Sequence, residues 1–179
     1  MRIISGNAKG RRLASPKSTL IRPVSDKVKE AIFNILGPID DESVLDLFAG
    51  TGSVGLEAKS RGAGLVVLVD GGEESVRLLK KNITQCGFEK DTIVVKGTIP
   101  RILELIARKN PPFNLVFVDP PYDKDLINPT LTALINYKLI DAQSQVILEH
   151  SPREIPACPG LVLADSRKYG QTYVSFLTM

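Results

Sequence analysis

Five short apolar runs, Val44–Phe48, Leu65–Val69, Thr92–Val95, Leu115–Val118 and Gln145–Glu149, alternate with four stretches of helical periodicity. That alternation is the strongest constraint on what the chain can fold into. Leu65-Val66-Val67-Leu68-Val69 has no polar face, as a strand covered on both sides requires. The intervening stretches, about Val54–Arg61, Glu73–Gln85, Pro100–Lys109 and Leu126–Tyr137, carry apolar residues at helical spacing, with Val76, Leu79 and Ile83 inward in the second. Strand, helix, strand in this order predicts an α/β doubly wound sheet that is parallel through its first five strands. Two further runs, Leu161–Arg167 and Tyr173–Leu177, flank a turn at Tyr169-Gly170-Gln171 and predict a C-terminal antiparallel hairpin.

Before the first strand, Val28, Ala31, Ile32, Ile35 and Leu36 predict one more helix, capped by Ser25 or Asp26 and stopped by Gly37-Pro38. The segment ahead of it has a different character. Arg2–Gly6 and Arg12–Ser15 are expected to form two short strands around Gly6-Asn7-Ala8-Lys9-Gly10, followed by an extended linker through Pro16, Ser18 and Pro23. Residues 1–29 hold eight basic side chains, among them Arg2, Lys9, Arg11, Arg12, Lys17 and Arg22, against Asp26 alone, although the whole chain is only +3. This predicts a basic extension, residues 1–24, on a mildly acidic domain, residues 25–179. Its composition suits a surface hairpin separable from the core. A polyanion is the natural partner for such an arm, and a solubilising surface is the alternative.

Composition excludes several classes. No apolar run approaches the length of a membrane-spanning helix, and the N-terminus has no apolar signal core. Cys86 and Cys158 have neither metal-ligand nor redox spacing, so no metal site is expected and the thiols are read as reduced and cytoplasmic.

Asp46-Leu47-Phe48-Ala49-Gly50-Thr51-Gly52-Ser53-Val54-Gly55 spans the first strand-to-helix turn. Gly50, Gly52 and Gly55 match the spacing of a dinucleotide turn, and Asp70 at the end of the second strand can accept hydrogen bonds from ribose hydroxyls. Both features serve any adenosine-containing cofactor, nicotinamide and flavin included. Asp46 separates the possibilities. A carboxylate just before the glycines repels a pyrophosphate and favours a cation, such as the ammonium and sulfonium of S-adenosylmethionine. A strand-end aspartate that merely caps the turn is the structural alternative.

Asp119-Pro120-Pro121-Tyr122 closes the fourth strand, where open parallel sheets bind ligands. The exocyclic amine of a nucleobase is a poor nucleophile, because its lone pair is delocalised into the ring. The Asp119 carboxylate and the Pro120 carbonyl are acceptors that can draw the nitrogen towards a tetrahedral shape. The two prolines hold that carbonyl in place, and Tyr122 offers a ring on which a base can stack. Methyl transfer in line from a sulfonium needs neither a metal nor a covalent intermediate.

The chain resembles the RsmD family of bacterial small-subunit ribosomal RNA (guanine-N(2)-)-methyltransferases over nearly its whole length. Five stretches carry the resemblance. They are Arg2–Gly6 with Lys9–Leu13; Arg22-Pro23 through Asp26, Val28, Glu30, Ala31, Phe33 and Asn34; Asp46–Gly52; Asp119–Tyr122; and Lys168-Tyr169-Gly170. The resemblance implies a Rossmann-like class I methyltransferase sheet and a guanine of 16S ribosomal RNA, in small-subunit particles, as substrate. It implies that Asp46, Phe48, Gly50, Gly52 and Asp70 hold S-adenosylmethionine, that Thr98 lies near the adenine, and that Asp119 to Tyr122 hold the base. Arg2, Lys9, Arg11, Arg12 and Arg22 are the expected RNA contacts, on a protein expected to be monomeric. Val24, Lys29, Asp70 and Thr98 depart from the family's more frequent threonine, arginine, glutamate and acidic or amide residues.

Two other functions fit parts of this pattern: an adenine-amine methyltransferase acting on DNA or RNA, and a non-catalytic RNA-binding assembly factor. Amide methylation of a protein glutamine fits less well, since that related tetrapeptide starts with Asn. His150 is expected at the rim of the site, with a general-base role as the alternative. Glu149 is a candidate to orient the active-site loop. Lys80-Lys81 is read as a solvated helix face, and Phe113 and Tyr137 as core.

Overall fold

The structure, a computed structural model, describes residues 1–16, 26–154 and 156–179. Ser18, Pro23 and Ser25 of the predicted linker and cap, and the basic residues Lys17 and Arg22, lie outside the described residues. The chain forms two compact units, Met1–Lys96 and Gly97–Met179.

The first unit contains α1 (Asp26–Leu36), β1 (Ser43–Leu47), α2 (Ser53–Ser60), β2 (Leu65–Asp70), α3 (Glu73–Cys86) and β3 (Thr92–Lys96). Its strands run in the order β3-β2-β1 and pair in parallel, with Asp46 beside Leu68 and Asp70 beside Lys96. β1 and β2 are buried along nearly their whole length, which explains the absence of alternation in their sequences. α3 opens with Glu73 and Glu74, whose charges suit a helix N-terminus, and ends at Gly87 in the left-handed conformation.

The second unit contains α4 (Leu103–Ala107), β4 (Leu115–Val118), α5 (Ile127–Asn136), β5 (Gln145–His150), β6 (Val162–Tyr169) and β7 (Thr172–Thr178). β4 and β5 are parallel, and β7 runs antiparallel to both β5 and β6. The predicted mixed α/β sheet, mostly parallel with a C-terminal antiparallel hairpin, is the fold observed. α4 is shorter than the predicted Pro100–Lys109 helix, because residues 100–102 form turns ahead of it. Phe113 is core as expected, whereas Tyr137 is 39% exposed at the end of α5.

The N-terminal segment departs most from expectation. The two predicted strands reduce to a single antiparallel bridge between Arg2 and Arg12. The amides that a longer ladder would use go elsewhere: Ile4 N–H and Ser5 N–H donate to the two carboxylate oxygens of Glu57 on α2, at 2.7 and 3.0 Å. Asn7 N–H donates to the Ser60 carbonyl and Ala8 N–H to the Ser60 hydroxyl. Gly6 makes this approach possible: its φ is +78°, and a Cβ there would overlap the Ser60 carbonyl. Ile3, Ala8 and Leu13 are buried, so the apolar side of the arm is core and not a separable surface hairpin.

Glu57 also receives Arg61 Nε at 2.8 Å and faces Lys29 Nζ of α1 at 3.4 Å, and the side chains of Glu57 and Lys29 are wholly buried. Lys29 therefore rotates the buried face of α1 relative to the predicted stripe, to Lys29, Ile32 and Phe33. Burial pulls its pKa below the usual lysine range, and the Glu57 charge opposes that pull. Lys29 further donates to the Arg2 carbonyl and the Ser53 hydroxyl, at 2.8 and 3.1 Å.

Removing one partner of a buried ion pair strands the other charge without water. Glu57→Ala is therefore expected to cost about 3–5 kcal/mol in denaturant unfolding. It should also free the Ile4 and Ser5 amides to exchange rapidly. A loss under 1 kcal/mol would show that the arm and α1 do not depend on this carboxylate.

Candidate active site

Two clusters contain most of the residues that the sequence singles out, one in each unit. In the first, β1 ends at Asp46-Leu47 and the chain turns into α2 through residues 48–52. Phe48, Gly50 and Gly52 all have positive φ, +61°, +55° and +77°. Glycine meets that demand without strain, whereas Phe48 holds a conformation that costs about 1–3 kcal/mol and needs support from its surroundings. A Cβ on Gly52 would come within 2.8 Å of Leu79 Cδ2, and one on Gly55 would overlap Leu68 and press on Asp46 Oδ2. The third glycine of the turn thus serves close packing of α2 on the strands.

Two carboxylates bracket the turn. Asp70 Oδ2 accepts the Gly50 N–H at 2.9 Å, and Oδ1 accepts the Gly72 N–H at 2.8 Å. Each oxygen keeps a second lone-pair direction for a hydroxyl donor. Asp46 is 3% exposed, and its Oδ2 accepts the Gly55 N–H at 2.9 Å. Burial pushes the Asp46 pKa up to about 7; the Gly55 hydrogen bond works against that rise, and the nearby Asp70 charge adds to it. A glycine turn between two carboxylates is hostile to a pyrophosphate and suited to a ligand with a ribose and a cationic tail. The residues present fit S-adenosylmethionine.

Thr98 belongs to the second unit, where it is exposed on the connection from β3 to α4 and its carbonyl accepts the Ile102 N–H at 3.0 Å.

In the second unit, β4 is buried at all four positions and delivers Asp119 half-buried, Pro120 buried, Pro121 exposed and Tyr122 half-buried. The Tyr122 hydroxyl lies 2.7 Å from Thr172 Oγ1 and donates to Glu149 Oε1 at 3.2 Å. β5 and β7 therefore pin the far end of the tyrosine. Burial pushes its pKa up to about 12; the Thr172 hydrogen bond counters this, and the Glu149 and Asp119 charges reinforce it. The phenol is thus protonated at neutral pH. Beyond Tyr122, Asp123 and Asp125 adopt positive φ, and the Asp123 N–H donates to Glu154 Oε1 at 3.2 Å.

His150 is buried and not at a rim. Its Nδ1 lies 2.9 Å from the Ser151 carbonyl, which can only accept, so that nitrogen carries the proton. Nε2 then accepts from Ser175 Oγ at 2.9 Å. Both nitrogens are engaged, and the ring stacks on Tyr173 at 5.8 Å, which leaves no general-base role. Of the expected RNA contacts, Arg2, Lys9, Arg11 and Arg12 are exposed, Arg2 lying 3.8 Å from Asp26. Arg22 lies outside the described residues. Among the described residues, no group of three or more His, Cys, Asp and Glu side chains is arranged to hold a metal ion, and no helix is long and apolar enough to cross a membrane.

Sequence reasoning missed Glu57, Asn82 and Thr172. Glu57 carried a signal: it is the one acidic residue in an α2 otherwise built of small, apolar and two basic or hydroxyl-bearing types, four residues before Arg61. Thr172 carried none, because its role depends on a pairing 50 residues away.

Comparison with known proteins covers both units. The model of the family described as Conserved hypothetical protein 95 matches residues 1–178. The chain is 36% identical to YlbH of Bacillus subtilis over 178 residues, 98% of this chain and 97% of that one. It is 38% identical over 135 residues to ribosomal RNA small subunit methyltransferase D of Escherichia coli, 75% of this chain and 66% of that one. Among solved structures, that of YhhF from Escherichia coli superposes with a TM-score of 0.86 at 31% identity, covering 99% of this chain and 97% of that one. The chain belongs to the family described as Conserved hypothetical protein 95, the RsmD family of ribosomal RNA methyltransferases.

Proposed function

We propose that the chain transfers a methyl group from S-adenosylmethionine to the exocyclic N2 amine of a guanine in 16S ribosomal RNA, on small-subunit particles in the cytoplasm. The observation that carries this reading is the anchored tetrapeptide: Asp119 and Tyr122 at the end of a fully buried strand, with the tyrosine hydroxyl held by Thr172 and Glu149. The name of the Escherichia coli relative supports small-subunit ribosomal RNA as the substrate. The resemblance of the motifs supports guanine N2 as the acceptor.

When bound, the cofactor supplies an electrophilic methyl on a sulfonium. Asp46, Phe48, Gly50, Gly52 and Asp70 hold it, Asp70 by the ribose and Asp46 by charge, with Thr98 as a further contact to the adenine. The Asp119 carboxylate and the Pro120 carbonyl accept the N–H groups of the target amine, which localises its lone pair, and the Asp119 carboxylate receives the proton that the methylated nitrogen sheds. Pro120 and Pro121 fix the backbone so that these acceptors need no reorganisation. Tyr122 presents its ring to the base, worth about 1–3 kcal/mol of stacking. The segment 1–24, through Arg2, Lys9, Arg11, Arg12 and Arg22, contacts phosphates.

Asp119→Ala should abolish turnover, since a charge-assisted acceptor aimed at the reacting group is worth about 3 kcal/mol or more. Its affinity for S-adenosylhomocysteine should stay within a few fold of the parent's. Labelled methyl transfer to small subunits, followed by nucleoside analysis, checks both the reaction and the base. Wild-type turnover by the variant would refute the mechanism, and N6-methyladenosine as product would refute the choice of guanine.

Replacing Lys9, Arg11 and Arg12 together by Gln should weaken RNA binding. If all three contact phosphates, the slope of log affinity against log salt should become shallower by about 2–3. An unchanged slope would remove the arm from the RNA interface.

Asp46 gives a pH signature. Its folded pKa, about 7, stands above its ordinary value of 3.8, so between these values the folded protein binds more protons than the unfolded chain. Stability of the ligand-free protein therefore falls as pH rises through that window and then levels off. Asp46→Asn keeps an acceptor for the Gly55 N–H but carries no charge. It should be more stable than the parent at pH 8, with the advantage shrinking towards pH 5, and it should bind S-adenosylhomocysteine more weakly at pH 8. Parallel stability curves for the two proteins would show that Asp46 does not titrate in this range.

A further inference from the structure

The glycine turn is an irregular piece of backbone with three residues at positive φ, and such a piece keeps its shape only if its surroundings over-determine it. Three independent ties converge on it, and each starts in the N-terminal arm. Asn82 of α3 is wholly buried, and its side chain makes three hydrogen bonds. Oδ1 accepts the Ala14 N–H at 2.7 Å, and Nδ2 donates to the Ala14 carbonyl at 3.1 Å and to the Thr51 carbonyl at 2.8 Å. At the other end of the arm, Thr51 Oγ1 lies 3.3 Å from Met1 Sδ. Between them, Lys29 Nζ joins the Arg2 carbonyl to the Ser53 hydroxyl. Thr51 and Ser53 are the two neighbours of Gly52. The arm thus grips the turn on both sides of its second glycine.

We infer that residues 1–14 are a clamp on the cofactor turn, with Asn82 as the positioning residue that transmits their hold to Thr51. This rests on the reading that the turn holds the cofactor. An asparagine suits the task, because only a side chain with both an acceptor and two donors can pair the arm's N–H and C=O and still reach the Thr51 carbonyl. Because coupling between two sites is reciprocal, a ligand that orders the turn must also steady the arm. A basic segment expected to hold RNA and a turn expected to hold the cofactor then share one set of hydrogen bonds.

The first test uses the unmodified chain. Addition of S-adenosylhomocysteine should slow hydrogen exchange of the Ala14 amide several-fold, a response that a purely structural tie would not give. The second uses two variants. Asn82→Leu removes all three bonds at similar volume, and Ala14→Pro removes only the amide donated by the arm. Each should raise the KM for S-adenosylmethionine, and weaken S-adenosylhomocysteine in calorimetry, by about tenfold. Turnover with both cofactor and RNA saturating should be unchanged, with every measurement made well below the variant's melting temperature. Unaltered exchange at Ala14, or a fall in kcat with KM unmoved, overturns the clamp, and the exchange result stands even if a variant fails to fold. Asp70→Ala separates the two levels of the argument. If it leaves S-adenosylhomocysteine affinity intact, the turn is not the cofactor site. If it weakens affinity while Ala14 exchange ignores the ligand, only the clamp is wrong.

Discussion

The first unit is organised around one buried carboxylate. Glu57, itself wholly buried, takes two backbone amides from the arm, the guanidinium of Arg61 and the buried ammonium of Lys29. A carboxylate in that position is costly unless its lone pairs are filled, and here the filling groups come from three different pieces of chain. The arm supplies Ile4 and Ser5, α1 supplies Lys29, and the end of α2 supplies Arg61, whose guanidinium also lies 4.8 Å above the Phe33 ring. A single charge therefore fixes the arm, the first helix and the helix that follows the glycine turn relative to one another. Hydrophobic burial alone would allow these pieces to slide, because apolar contact is not directional.

The same carboxylate explains where the sequence could and could not be read. The inner strands β2 and β4 were legible because they are buried along nearly their whole length and written in Val, Leu and Phe; the exposed β6 was legible only from the turn that follows it. The helices were legible from their period, with errors at ends such as α4, where residues 100–102 form turns before the helical ladder begins. The arm was misread because local pattern pointed to two paired strands, whereas the amides at Ile4 and Ser5 find a charged acceptor from a distant helix. Nothing local to residues 1–15 announces that acceptor.

The site was legible where chemistry demands a residue type in a fixed place, and illegible where a role arises from pairing. Gly50 and Gly52 could be picked out because a tight turn demands positive φ, Asp46 and Asp70 because they stand at strand ends beside it, where they accept the Gly55 and Gly50 amides, and Asp119 to Tyr122 because two prolines follow a fully apolar strand. Thr172 and Asn82 are ordinary polar residues in the sequence. They matter because tertiary structure sets one against a phenol and the other between two carbonyls. His150 shows the converse: its sole occurrence drew attention, but two hydrogen bonds occupy its ring in a supporting layer.

The order of strands in the second unit has a consequence for biosynthesis. β7 lies between β5 and β6, so β6, although made earlier, has nothing to pair with until Thr172–Thr178 leaves the ribosome. The first residue of β7 is also the one whose hydroxyl anchors Tyr122. The tetrapeptide at the end of β4 is thus translated some fifty residues before its support exists. A nascent chain can complete the turn around Asp46 and Asp70 long before it can anchor Tyr122. A message truncated just before Thr172 would yield a product that lacks this anchor for Tyr122 despite carrying every residue expected to touch cofactor or base.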